Sequence, residues 1–139
     1  MKANVHWQQR MSFEGLSDSG FSVPMGSVPE VGGDNDAPRP MELILLGLGG
    51  CTGMDVISIL QKKKQQVTSF DIRLNAERAG QHPKVFTAIE IEYIVRGKDI
   101  DPAAVERAVQ LSAEKYCPAQ AMLGQIAPIK TKITIENEV

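Results

Sequence analysis

Residues 40–56 read "PMELILLGLGGCTGMDV", and the fold turns on how this stretch is read. Pro40 suits the first position of a helix, where its missing N–H has no partner to lose. The following "LILLGLGGC" carries no polar side chain on any face. Further on, Thr52, Asp55 and Ser58 recur three apart and add one polar stripe. A helix apolar all round has to be enclosed by protein. A chain of 139 residues has little sheet to spare for that, so a partner subunit is expected to cover part of it.

Leu43 to Leu60 spans 18 residues, barely enough to cross a bilayer. Thr52, Asp55 and Ser58 interrupt it, and an Asp near the middle costs ~3 kcal/mol on insertion scales. No membrane is expected. Working towards the N-terminus, "GSVPEVGGDNDAPRP" at 26–40 has Gly or Pro at six of its 15 positions, the composition of a mobile loop of the kind that borders sites. Before it, Ala3, Val5 and Trp7 alternate with Asn4, His6 and Gln8. Phe13 and then Phe21–Val23 continue short strands, with turns expected near Gly15 and Ser19-Gly20.

On the other side, Lys62-Lys63-Lys64 reads as a helix end, where cations oppose the negative end of the macrodipole. Thr68–Arg78 places Phe70, Ile72, Leu74 and Ala76 on one face and Asp71, Arg73, Asn75 and Glu77 on the other. After "AGQHPK", a second strand from Val85 to Arg96 sets Ile89, Ile91 and Tyr93 against Glu90 and Glu92. The two predict an antiparallel hairpin with one dry face. Asp101-Pro102 is an N-cap and first-turn proline for a helix through Val105, Val109 and Tyr116. Pro118 breaks it, "PAQAMLG" starts another, and "IKTKITIE" ends the chain as a strand. The order of elements is that of an α+β fold in one domain, residues 1–139.

The composition narrows the function. Apolar residues make up 42% and charged residues 23%, with a net charge of −2, which gives no footprint for nucleic acid. "MKANVHWQQR" lacks the apolar core of a secretory signal. Two cysteines without a Cys-x-x-Cys spacing point to a reducing cytoplasm. The two histidines, His6 and His82, lack neighbouring ligand types at metal spacing, so neither a metal nor another cofactor is expected. "GLGGCTG" has the glycines of a phosphate loop, but it lies inside an apolar helix instead of between a strand and a helix start.

Chemistry is left to the cysteines, although a free Cys is more often inert core filler. Three of the four residues before Cys51 are glycines, which gives a substrate clearance within an apolar shell. Gly49 and Gly53, four apart, equally permit close contact with a partner helix. Cys117 precedes a proline at a helix start, where the positive dipole end stabilises a thiolate. Cys51 has Asp55 one turn along and needs a cation beside it if it is the attacking sulfur.

Together, "PMELILLGLGGCTGMDV" and "LSAEKYCPAQAML" (residues 111–123) resemble the OsmC/Ohr family of stress-induced hydroperoxide-reducing proteins, and most nearly its OsmC-like branch. The resemblance spans essentially the whole chain. It implies an OsmC-like fold, with antiparallel sheets around a central apolar helix and two copies intertwined as a homodimer. It further implies a thiol-dependent peroxidase active in oxidative stress. Cys51 would attack an organic hydroperoxide and become a sulfenic acid, and Cys117 would condense with it to a disulfide. An external dithiol or a lipoylated protein would reduce the bridge. The family supports its thiolate with an arginine and with a glutamate directly after the helix-opening proline. Here that position is Met41, and Glu42 comes one place later, ~100° around the helix. Arg10 is the nearest arginine candidate and Arg39 a looser one. The alternative is a non-catalytic dimer of the same fold that binds a small apolar ligand.

Overall fold

The computed structural model describes residues Met1–Val139. It is α+β, with two sheets and a long central helix, and it divides into two compact units, Met1–Ile44 and Leu45–Val139. The border falls within helix α1 (Pro40–Lys62).

In the first unit, β1 (Ala3–Gln9), β2 (Ser12–Ser17) and β3 (Ser22–Met25) form an antiparallel sheet in that order. The turn expected near Gly15 is instead at Arg10, which takes a left-handed φ of 46°. Gly15 lies inside the middle strand, paired with Val5 and Val23. Its lack of a side chain is used there, because a Cβ would come within 2.9 Å of Met25 Cε. The second turn is where it was expected, with Gly20 at φ 93°. Every residue of β1 is exposed, including Val5 and Trp7.

The loop expected to be mobile is tied down. Asp36 accepts from Ser12 Oγ at 2.5 Å, Arg10 Nε bonds both oxygens of Asp34 at 3.1 Å, and Arg39 reaches the Asn35 side chain. Pro29–Val31 forms one 3-10 turn within it.

In the second unit, β4 (Gln66–Arg78), β5 (Phe86–Lys98) and β6 (Ile129–Asn137) form a sheet with β5 in the centre. β4 and β5 pair antiparallel as expected, with Ile72 opposite Tyr93 and Leu74 opposite Ile91. The sheet is mixed, however, because β6 runs parallel to β5. The crossover is α2 (Pro102–Leu111), a π-helical turn (Ser112–Tyr116) and α3 (Pro118–Leu123), long enough to carry the chain back to the same end of the sheet. Asp101 caps α2 by accepting from Ala103 N at 3.0 Å.

The two faces of this sheet differ as the alternation requires. One carries cross-strand ion pairs: Glu92 lies between Arg73 and Lys132, and Arg96 between Asp71 and Glu136. The other is apolar and receives α1. The contact stripe on α1 is Leu48, Gly49, Thr52, Val56 and Leu60, all buried. Gly49 and Gly53 permit a close approach, but to β4 and not to a partner helix. A Cβ on either would come within 2.7 Å of Leu74 Cδ1 or Ile72 Cδ1, respectively. Across the helix, Leu46 is 61% exposed and Met54 74% exposed. α1 has the mean hydropathy of a bilayer-crossing helix, 1.9 over 18 residues, yet it packs one face against the sheet.

Candidate functional site

Two elements bring the cysteines together. α1 carries Cys51 beside the buried stripe, partly accessible. Cys117 sits at the junction of the π-turn and α3, 3% exposed. Its extended backbone (φ −81°, ψ 103°) is what a residue before proline prefers, so Pro118 sets the break that aims the side chain. The wider π-turn closes through Cys117 N–H donating to Ser112 O at 2.9 Å. Such turns are frequent where a helix has to present a functional group. The Cys51 side chain stands close enough to Cys117 to act on its thiol.

The expectation of an acidic Cys117 is overturned. Burial pushes its thiol up to about 11. The Gln120 N–H, donating to Sγ at 3.3 Å, favours the thiolate as a helix start should, and the Cys51 thiol opposes it. α3 is only six residues long, and desolvation outweighs its few aligned peptides.

Beneath the thiols lies a polar cluster that the sequence reading passed over. Thr52 Oγ1 is 2.8 Å from Tyr93 Oη and 2.7 Å from Ser112 Oγ. Ser112 Oγ donates to Asp55 Oδ2 at 2.9 Å. Gln120 Nε2 donates to Thr52 Oγ1 at 3.1 Å and to Tyr93 Oη at 3.4 Å. The acceptor-only carboxylate at one end and the donor-only amide nitrogen at the other set the direction. Ser112 gives its proton to Asp55, so Thr52 donates to Ser112 and Tyr93 to Thr52. Burial pushes the Tyr93 hydroxyl up, so it stays protonated and able to donate. No buried side-chain polar atom lacks a partner. The sequence signals were slight: a threonine at a stripe position of an apolar helix and a tyrosine among isoleucines.

Glu42 and Arg10 each have a partner within their own unit. Glu42 Oε1 accepts from Arg39 N at 2.9 Å, capping the start of its own helix. Arg10 is paired with Asp34. Asp55, at the outer end of the cluster, borders a cleft of about 440 Å³ that Met54, Lys62, Leu111 and Tyr116 also line. No group of three or more His, Cys, Asp or Glu side chains is placed to hold a metal ion.

Residues 33–132 match the family model for OsmC-like proteins. The chain belongs to the OsmC-like protein family. The resemblance read from the two cysteine-bearing stretches therefore holds. The chain is 45% identical to Protein YhfA of Escherichia coli K12 over 130 residues, 93% of each sequence. A solved structure from Aquifex aeolicus VF5 is 31% identical, covers 99% of this chain and 97% of its own, and has a TM-score of 0.88. OsmC, an organic hydroperoxide resistance protein from Legionella pneumophila, is 15% identical with a TM-score of 0.69, covering 96% and 95%. At that identity the likeness is one of fold.

Proposed function

We propose that the chain is a thiol-dependent peroxidase that reduces organic hydroperoxides in a reducing cytoplasm. The observation that carries this reading is the proximity of Cys51, partly accessible, to the buried Cys117. Named hydroperoxide-resistance proteins among its structural neighbours support it.

The Cys51 thiolate attacks the peroxide O–O bond, the alkoxide leaves and takes a proton, and Cys51 becomes a sulfenic acid. The Cys117 thiol then condenses with it, forming the S–S bond and releasing water. An external dithiol or lipoylated protein, itself oxidised to a disulfide, returns both thiols. Two copies form the working unit. The uncovered Leu46–Gly50–Met54 face of α1 and the fully exposed β1 support that assembly. Nucleic acid and membrane have no part in it.

Free-thiol titration before and after one equivalent of cumene hydroperoxide tests the reaction. Two thiols per chain are expected to disappear, and none in Cys51→Ser; unchanged thiols in the parent would sink the reading. The second reading, a non-catalytic dimer that binds a small apolar ligand, is favoured by Arg10 and Glu42 already having partners. It also draws on an apolar cavity of about 320 Å³ lined by Val5, Met11, Phe13 and Met25. It predicts that Cys51→Ser keeps full function in cells.

A further inference from the structure

Four separate elements meet in the cluster under the cysteine pair, and each supplies one hydrogen-bonding side chain or more. α1 gives Thr52 and Asp55, β5 gives Tyr93, the π-turn gives Ser112, and α3 gives Gln120. Thr52 directly follows Cys51 in the chain. Gln120 holds Cys117 through its backbone, donating N–H to Sγ, while its side chain reaches across to Thr52. The link from one sulfur to the other therefore runs through two residues, each tied to its cysteine by covalent backbone or a direct hydrogen bond.

This arrangement does more than satisfy buried groups. Thr52 Oγ1 accepts from both Tyr93 and Gln120 and donates to Ser112, so all its hydrogen-bonding capacity is in use. A hydroxyl so constrained fixes the rotation of α1 at residue 52, and with it the direction of the Cys51 side chain. The π-turn needs a similar restraint. At its end the Cys117 N–H donates to Ser112 O, and the Ser112 side chain ties the turn to α1 by bonding both Thr52 and Asp55.

We propose that Gln120 and Thr52 are positioning residues that lock the Cys117 segment onto α1 and so raise the effective concentration of one thiol at the other. The proposal deepens the peroxidase reading, since it concerns the same cysteine pair. It applies to disulfide formation by any oxidant, however, and not to hydroperoxide alone.

The test therefore uses glutathione. In the exchange, both protein thiols are oxidised to one disulfide, glutathione disulfide accepts the two electrons, and two molecules of reduced glutathione carry away the two protons. The full chain is equilibrated in buffers of varied reduced-to-oxidised glutathione ratio, and the Cys51–Cys117 disulfide is quantified by mass spectrometry. Gln120→Met keeps the side-chain volume and the backbone N–H but removes the amide. Thr52→Val keeps the shape but removes the hydroxyl. Both are expected to lower the effective concentration at least tenfold, equivalent to about 30 mV in the disulfide potential. Thr52→Ser, which retains the hydroxyl, is expected to stay within threefold of the parent.

Folding of each variant is checked by circular dichroism at the assay temperature. A merely structural network would lower melting temperatures and leave the potential of the folded protein where it was. That result in Gln120→Met and Thr52→Val overturns the proposal. If neither variant folds, Tyr93→Phe serves, since it removes one hydroxyl and leaves Thr52 bonded to Ser112 and Gln120. A three- to tenfold fall is expected from it, and an unchanged value overturns the proposal. A disulfide that forms in glutathione while cumene hydroperoxide leaves the thiols intact defeats only the peroxidase reading. A parent protein that forms no Cys51–Cys117 disulfide in glutathione defeats both.

Discussion

At Cys117, helix-start geometry and burial pull the thiol in opposite directions, and burial wins, leaving it at about 11. Site-resolved alkylation with iodoacetamide checks the balance. The rate at Cys117 is expected to climb about tenfold per pH unit from 7.5 to 10, with no plateau near 8.5, the value of a free thiol. The same shift links pH to stability. Below about pH 8.5 the unfolded thiol is protonated as well, so the folded state loses nothing. As pH rises from there through about 11, the unfolded chain ionises first and stability declines. Cys51→Ser removes one of the groups that oppose the Cys117 thiolate, so Cys117 alkylation is expected to quicken in it. The cysteines were legible in the sequence because their neighbours are unusual: glycines before one, a proline after the other. Tyr93 and Gln120 were not, because a tyrosine in a strand and a glutamine in a short helix are ordinary until their partners, 27 to 68 residues away, are known.

At the scale of elements, two kinds of close approach predict two sizes of effect. In Gly49→Ala the new methyl meets the tip of Leu74, which can swing aside. A packing cost of about 1–3 kcal/mol is then partly offset by a helix gain of about 1 kcal/mol. Urea unfolding is expected to show a net loss of about 1 kcal/mol. In Gly97→Ala the obstacle is the Gln66 carbonyl, 2.1 Å from the new Cβ, in the paired strand where only the backbone could yield. A loss of about 3 kcal/mol or more is expected there, at or beyond the upper end for overpacking. Equal effects from the two substitutions would contradict this packing. The pairing of β4 with β5 followed from period-2 alternation. The parallel partnership of β6 did not, since alternating Ile and Thr fits either direction and the crossover length alone leaves both open. Acid tests the charged face: the Thr134 hydroxyl, with Lys132 and Arg73, holds the Glu92 carboxyl below its usual value. Its contribution is present above the ordinary carboxylate range and is lost as pH falls through the lowered value.

For the whole molecule, the decisive feature is the apolar surface that one chain leaves open on α1, with Met54 at 74% exposure. Sedimentation of the parent is expected to give a dimer whose melting temperature rises with protein concentration, as mass action requires. Met54→Glu is expected to shift it to monomer; a monomeric parent, or a variant that stays dimeric, would contradict the assembly. The sequence by itself determined the elements, the long apolar helix and the two cysteines, because each rests on local periodicity or on a residue's immediate neighbours. Tertiary structure decided that Gly49 and Gly53 serve strand β4, that Cys117 is a protonated thiol, and that Thr52, Tyr93, Ser112 and Gln120 converge beneath the pair. Contact and desolvation depend on residues far apart in the chain, and no local pattern encodes them.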